Sequence, residues 1–377
     1  MAKKIRVGVI FGGRSGEHEV SIVSAQSVMA ALSKKKYEVI PIGITKQGKW
    51  IAGSQAVKFL KDGMKKLPFK SHLTADPTER RLIKTSDDSS KLIRSSADKL
   101  DVIFPVLHGP YGEDGTIQGM LELAGIPYVG AGVLGSAVAM DKIIQKQITD
   151  QAGLPSTKYD WFLTQDWKED RQLIIRRLEQ NLKYPMFTKP ANLGSSVGIG
   201  KCHNRKELIA GITAATRYDR RVIVEEGIEN IHEIEVAVLG NDKPKASVPG
   251  EIIASNEFYD YDAKYIDGKS QAVIPAKLPA AVIKKIQTIA VAAFKALDLA
   301  GMARADFLVT KNRHQIYLNE VNTIPGFTAI SMYPKLWQVS GLKYSELLDR
   351  LIQLALERHS QKTRLATSFK PKNDWYK

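Results

Sequence analysis

KPANLGSSVGIG, residues 189–200, is a glycine-rich loop that departs from the common phosphate-loop template. It has no GxxxxGK[ST], and its lysine precedes the glycines. The strand-like run PMFTK (185–189) delivers Lys189, and beyond Pro190 the chain turns back through GSSVGIG into extended sequence. A flexible hairpin with hydroxyls, here Ser195 and Ser196, can fold over phosphates and offer backbone N–H groups while a lysine neutralises charge. A plain Gly/Ser hairpin is the alternative reading of the same residues.

Outward from the loop, short apolar runs alternate with helical patterns. A helix is predicted at 205–216, followed by a strand RVIVEE (221–226). EIEVAVLG, ADFLVTK and QIYLNEV read as strands. Among them, 279–301 carries apolar residues at 282, 283, 286, 289, 290, 293, 294 and 297, a helical stripe. SELLDRLIQLALERH is a last helix. Upstream, SAVAMDKIIQKQITDQAG reads as one helical stretch that closes at Gly153, with Pro155 just beyond. In the first third, IRVGVIF (5–11), EVIPIGI (38–44), DVIFPVL (101–107) and IPYVG (126–130) read as buried strands around helices near Val20–Leu32 and at TIQGMLELAG. This alternation predicts an α/β fold with a doubly wound parallel N-terminal sheet, helices on both faces. The expected domains are 1–130, 131–224 and 225–360, with a basic tail at 361–377. The polar segment 58–99 is expected to be loop-rich.

At 377 residues, 44% hydrophobic and 25% charged, the chain has an ordinary globular composition. No apolar run reaches the ~18–20 residues of a membrane span. The closest, TIAVAAFKALDLAGMA (288–303), is broken by Lys295 and Asp298. MAKKIRVGVIFGG begins like a signal peptide, yet its apolar part is short, carries Arg6 and ends in GG, so a first strand is expected. One cysteine, Cys202, excludes a disulfide framework and fits a reducing cytoplasm. The net charge of +15 favours anionic partners. Much of the excess sits in 58–99 and after residue 357, where six Lys/Arg face one Asp. Neither segment interleaves aromatics as a single-strand platform does. A basic solvated surface is therefore expected, with no nucleic acid and no membrane partner.

Four further stretches carry chemistry. In RADFLVTKNRHQIYLNEVN (304–322), two strands are joined by a turn at 311–313, with Asp306 on the first and Glu320 and Asn322 two apart on the second. Two carboxylates and an amide oxygen on one face make a hard-oxygen site suited to Mg²⁺ beside substrate phosphates. Ordinary surface polarity is the alternative, but buried carboxylates without a partner are costly. FGGRSGEHEVS (11–21) opens a helix, where an anion or, through Glu17, an ammonium could be met. It lacks G-x-G-x-x-G, and the next strand lacks the ribose-binding acid, so NAD is weakly supported. In VLHGPYGEDGTIQG (106–119), His108 ends a buried strand, the position where open α/β sheets bind ligands. A lone histidine is also often structural. NEFYDYDAKY (256–265) puts four aromatics and Lys264 into a polar loop, which by itself could be a surface loop.

In this order, HGPYGEDG, MDK, KPANLGSSVG, the FYDYDAKY loop, GMARADFLV and NEVNTIPGFT resemble the D-alanine–D-alanine ligases of the ATP-grasp superfamily. The resemblance runs from about residue 5 to about 355, leaving 58–99 and the tail outside it. It implies three α/β domains, a flap over ATP at the opening loop, a homodimer and a cytoplasmic enzyme of peptidoglycan precursor synthesis. It implies that Lys142, Lys189 and Ser196 contact nucleotide phosphates, and that Glu225, Glu226, Ile228 and Glu233 surround adenine and ribose. Asp306, Glu320 and Asn322 would hold two Mg²⁺ ions, with Mn²⁺ equally compatible. Glu17 would take the first D-alanine's ammonium in a set with Ser195 and Tyr265, with His108 and Lys264 nearby. Arg304 and the Gly326 N–H would stabilise the oxyanion, and Ser331 with Met332 would receive the second D-alanine. Tyr265, where D-lactate-using relatives often carry Phe, points to the dipeptide. Alternatives are a D-alanine–D-lactate or D-serine ligase, a NAD-dependent dehydrogenase and a non-catalytic basic binding protein.

Overall fold

The computed structural model describes residues 3–53, 55–62, 70–80, 82–85, 92–93, 99–194, 197–253, 271–328 and 330–368. The N-terminal sheet has the order Trp50–Ala52, Tyr37–Ile44, Ile5–Gly12, Val102–Val106. The last three strands are parallel, with Ile5 opposite Tyr37 and Val7 opposite Val102. Parallel neighbours need a crossover, and helix His18–Ala31 supplies the first. Along Ile5–Gly12 the side chains divide between two cores. Val7, Val9 and Phe11 pack with helix Tyr344–Thr363, whereas Ile10 packs with Ile42, Ile103 and Leu121. Both faces are thus covered, which is why the run is continuously apolar.

Two expectations are corrected here. IPYVG is not a strand: Tyr128 makes only an isolated bridge to Ile103. The 58–99 segment, expected to be loop-rich, contains most of helix Ala56–Asp62 and an antiparallel sheet of Lys70–Leu73, Leu82–Thr85 and Leu92–Ile93. Leu82 is buried with Leu100 beneath the main sheet. These strands are of two to four residues, too short to display a period of two in sequence.

The central sheet runs Gly200–Cys202, Met186–Pro190, Arg221–Glu226, Tyr159–Leu163, all antiparallel. Helices Arg171–Asn181 and Arg205–Ala215 cover it through Ile174, Leu178, Leu208 and Ile212. The strand Arg221–Glu226 continues past residue 224, where the domain boundary had been expected. The helix expected to run unbroken to Gly153 is two helices, Val133–Met140 and Lys142–Gln151. Asp141 separates them in extended conformation, and its carboxylate accepts from the Ile143 and Ile144 N–H groups. A capping Asp inside an apolar pattern offers the backbone a competing partner and restarts the helix.

The C-terminal sheet has the order Gln271–Val273, Gly250–Ile253, Ile231–Gly240, Gly301–Thr310, Ile316–Asn322, with Lys245–Ala246 paired beside it. Helix Ala280–Ala296 packs its predicted stripe, including Ile286, Ile289, Ala290 and Phe294, onto this sheet. Among the described residues no helix is long and apolar enough to cross a membrane.

Candidate active site

Two cavities of about 380 and 580 Å³ share Ile199, Glu235, Ile252, Arg304 and Glu320, and so form the two ends of one cleft. The smaller end is built from the loop after Ile5–Gly12, the loop after Val102–Val106 and the turn after Ile316–Asn322. Glu17 occupies the N-cap position of helix His18–Ala31. Glycines let its carboxylate sit close: a Cβ on Gly109 would lie 2.9 Å from Oε2, and one on Gly194 would lie 3.0 Å away. His108 is buried at the strand end, its Nδ1 3.0 Å from the Ile324 carbonyl and its Nε2 3.3 Å from Ser24 Oγ. Burial pulls its pKa down, against the attraction of Glu17, so the ring is held neutral.

Glu113 lies beside them and was not singled out in the sequence, although it stands inside HGPYGEDG. Its Oε2 accepts from the Gly109 N–H at 2.7 Å and its Oε1 from the Ile324 N–H at 3.0 Å. Burial, helped by the negative Glu17, pushes its carboxyl up to about 8. Near neutral pH it therefore ties the two loops together without adding a second negative charge.

At the centre, Arg304 stands opposite Asn322 and Asp306 opposite Glu320 on adjacent strands. Arg304 donates to both Asp306 oxygens, at 2.7 and 2.6 Å, and its Nε is 3.1 Å from Glu235 Oε2. Burial works against the guanidinium charge, but Asp306 and Glu235 outweigh it and raise its pKa further. Asp306 thus has a bidentate protein partner. Asn322 Nδ2 donates to Asp306 Oδ2 at 3.1 Å, and Glu320 lies 3.8 Å from Lys142 Nζ. Lys142 also donates to the Leu193 carbonyl in the glycine-rich loop, at 2.7 Å. Among the described residues no three His, Cys, Asp or Glu side chains are grouped to hold a metal. A cation here would need the Asn322 amide oxygen and phosphate oxygens in its set, which suits a hard ion.

The larger end is lined by Lys189, Glu225, Glu226, Ile228 and Glu233. The Glu226 carboxylate is also engaged elsewhere, its Oε2 accepting from the Lys183 N–H at 3.0 Å. Glu225 is fully buried. Burial raises its pKa, but Lys146 and Lys189 prevail and bring it down to about 2. Lys146, not foreseen as a site residue, could have been found by its spacing, four residues after Lys142 and hence on the same helix face. Gln145, also unforeseen, fastens that helix to strand Ile316–Asn322: its Oε1 accepts from the Val321 N–H at 2.9 Å. Gly326 and Ser331 are brought together, since a Cβ at 326 would lie 2.7 Å from Ser331 Oγ. Ser331 also accepts from the Thr328 N–H at 3.0 Å, and Met332 lines the cavity. Ser195, Ser196, Lys264 and Tyr265 lie outside the described residues.

Residues 6–131 match the family model described as D-ala D-ala ligase N-terminus, and residues 148–353 the one described as D-ala D-ala ligase C-terminus. The chain belongs to the D-ala D-ala ligase family. The segment 58–99, set outside the resemblance, lies within the first match. A relative from Natranaerobius thermophilus, named D-alanine–D-alanine ligase, is 53% identical over 368 residues, covering 97% of this chain and 99% of its own. One from Chloroherpeton thalassium with the same name is 50% identical over 362 residues, covering 95% and 98%. The fold is ATP-grasp, like that of its solved relatives. The VanG D-Ala:D-Ser ligase from Enterococcus faecalis has a TM-score of 0.82 and 38% identity, covering 94% of this chain and 100% of that one. The D-alanine–D-alanine ligase from Coxiella burnetii has a TM-score of 0.79 and 37% identity, covering 96% and 97%.

Proposed function

We propose that the cleft joins two D-alanines into D-alanyl-D-alanine with conversion of ATP to ADP, for peptidoglycan precursor synthesis. The observation that carries this reading is the continuity of the cleft. An ammonium-binding carboxylate at Glu17, a buried arginine at Arg304 and a lysine–glutamate pair at Lys189 and Glu225 follow one another along it.

A carboxylate is a poor acylating agent, so the γ-phosphoryl is first passed to the carboxylate of the first D-alanine, giving an acyl phosphate. Lys142 and Lys189 neutralise the phosphates, and positioning supplies most of the rate. Mg²⁺ or Mn²⁺ held by Asp306, Glu320 and Asn322 would neutralise charge on the phosphate oxygens when bound. Glu17 holds the first ammonium, in a set with Ser195 and Tyr265, while His108 and Lys264 border the same substrate. Ser196 belongs to the flap. Ile228, Glu226 and Glu233 enclose the base and ribose. The amine of the second D-alanine, whose carboxylate meets Ser331 beside Met332, attacks the acyl carbon. Arg304 and the Gly326 N–H face the negative charge that develops there, and phosphate leaves.

The second substrate in this reading is D-alanine, supported by the names of the curated relatives and by the Tyr265 hydroxyl. The sequence resemblance supports a homodimer, and the single buried thiol of Cys202 supports a cytoplasmic setting. Incubation with ATP, Mg²⁺ and D-alanine should release ADP and phosphate in step with dipeptide. Release of ADP without any joined product would contradict the reading.

A further inference from the structure

The nucleotide end of the cleft contains a charged group that the proposed reaction leaves without a task. Lys146 follows Lys142 by one helical turn, and its side chain is only 3% exposed. Its Nζ donates to Thr157 Oγ1 at 3.0 Å, and the same hydroxyl donates onward to Glu225 Oε2 at 3.1 Å. Lys146 Nζ also lies 3.4 Å from that oxygen and 5.5 Å from the centroid of the Tyr159 ring. The other carboxylate oxygen, Oε1, is 3.1 Å from Lys189 Nζ. Burying an ammonium is costly unless it is paired and hydrogen-bonded, and here both conditions are met.

The two lysines divide the labour. Lys189 stands at the start of the flap and is placed to reach phosphates. Lys146 is enclosed on every side and reaches the cavity only through Thr157 and Glu225. A carboxylate carries about four acceptor sites, and the donors from Lys189, Thr157 and Lys146 leave part of that capacity facing the cavity that Glu225 lines. An ionised carboxylate fixed from behind accepts hydrogen bonds and cannot donate them.

We propose that Lys146, acting through Thr157, is a positioning residue that holds Glu225 as a fixed acceptor and so makes the cavity prefer a purine with a 6-amino group over one with a 6-carbonyl. This rests on the reading of the cleft as a nucleotide-dependent ligase site. A 6-amino group donates to Glu225. A 6-carbonyl would set acceptor against acceptor and leave both desolvated without a partner, which discriminates strongly in a buried site.

The test compares ATP with inosine triphosphate in steady-state dipeptide formation by the full chain. The wild-type protein should favour ATP by about tenfold to a hundredfold in kcat/KM, the effect of one hydrogen bond to a charged group. Lys146→Met should raise KM for ATP by about the same factor, with kcat little changed and KM for inosine triphosphate nearly unmoved. Lys146→Arg should keep the preference. A merely structural lysine would weaken both nucleotides alike, and that result, or an unchanged ratio in a folded Lys146→Met, would overturn the inference. Should Lys146→Met fail to fold, Thr157→Val removes the bridging hydroxyl but leaves the 3.4 Å ion pair, so a smaller rise in KM confined to ATP is expected, and an equal rise for both nucleotides or no change would overturn the inference. A wild-type enzyme that makes dipeptide equally well with both nucleotides overturns this inference alone, whereas one that makes none with either overturns the ligase reading as well.

Discussion

The carboxylate of Glu17 lies against Gly194, so that a methyl group on that glycine would come within 3.0 Å of Oε2. The glycine-rich loop therefore leaves room for Glu17 only because residue 194 carries no side chain. Gly194→Ala should push Glu17 aside by a few tenths of an ångström. We expect KM for D-alanine to rise about fivefold, on the order of 1 kcal/mol. KM for ATP should move much less, and the melting temperature should be unchanged. Steady-state kinetics with each substrate varied in turn checks this.

Glu113 ties the 109–113 loop to residue 324 and is neutral in the fold near pH 7. Its folded pKa of about 8 lies above the ordinary 4.5, because burial and Glu17 disfavour the charge. Between those values the native state keeps a proton that the unfolded chain releases, so this contribution to stability is complete below about pH 4.5 and fades as pH rises toward 8. Glu113→Gln should remove that component. Thermal melts at about pH 5 and about pH 8.5 should show wild type losing a few degrees more than the variant.

Arg304 grips Asp306 with two parallel hydrogen bonds while its Nε also faces Glu235. Lysine cannot reproduce that fork. Arg304→Lys should lower kcat by about 10²–10³, as loss of one oxyanion donor does, with only a small rise in KM for ATP. Rapid-quench or steady-state assays of dipeptide formation measure this.

Gly211 is a point where helix Arg205–Ala215 touches the central sheet. A Cβ there would meet Thr188 Oγ1 at 2.6 Å and Cys202 Sγ at 2.9 Å. Gly211→Ala gains about 1 kcal/mol of helix propensity, but overpacking costs about 1–3 kcal/mol. The net expectation is a loss of stability of about 1 kcal/mol, measured by chemical denaturation.

What the sequence revealed followed from residues that advertise their chemistry locally. The strand runs 5–11 and 38–44, the stripe on 279–301 and the Asp306–Glu320–Asn322 pattern could all be read from spacing, because period and residue type are properties of one segment. The small sheet within 58–99 could not, since its strands are of two to four residues. The break at Asp141 was hidden because a single capping residue interrupted an otherwise continuous apolar pattern. Glu113 and Lys146 were missed for another reason. Their roles depend on partners 211 and 79 residues away, Ile324 and Glu225, which only the fold brings into reach.

The central claim is that this cleft makes a peptide bond between two D-alanines. Its most direct test is mass spectrometry of the products after incubation with ATP, Mg²⁺, D-alanine, D-lactate and D-serine together. The predicted result is D-alanyl-D-alanine as the main product, with ADP and phosphate formed in equal amount. A mainly D-lactate or D-serine product would contradict the assigned acceptor, and no joined product from the folded protein would contradict the ligase account itself.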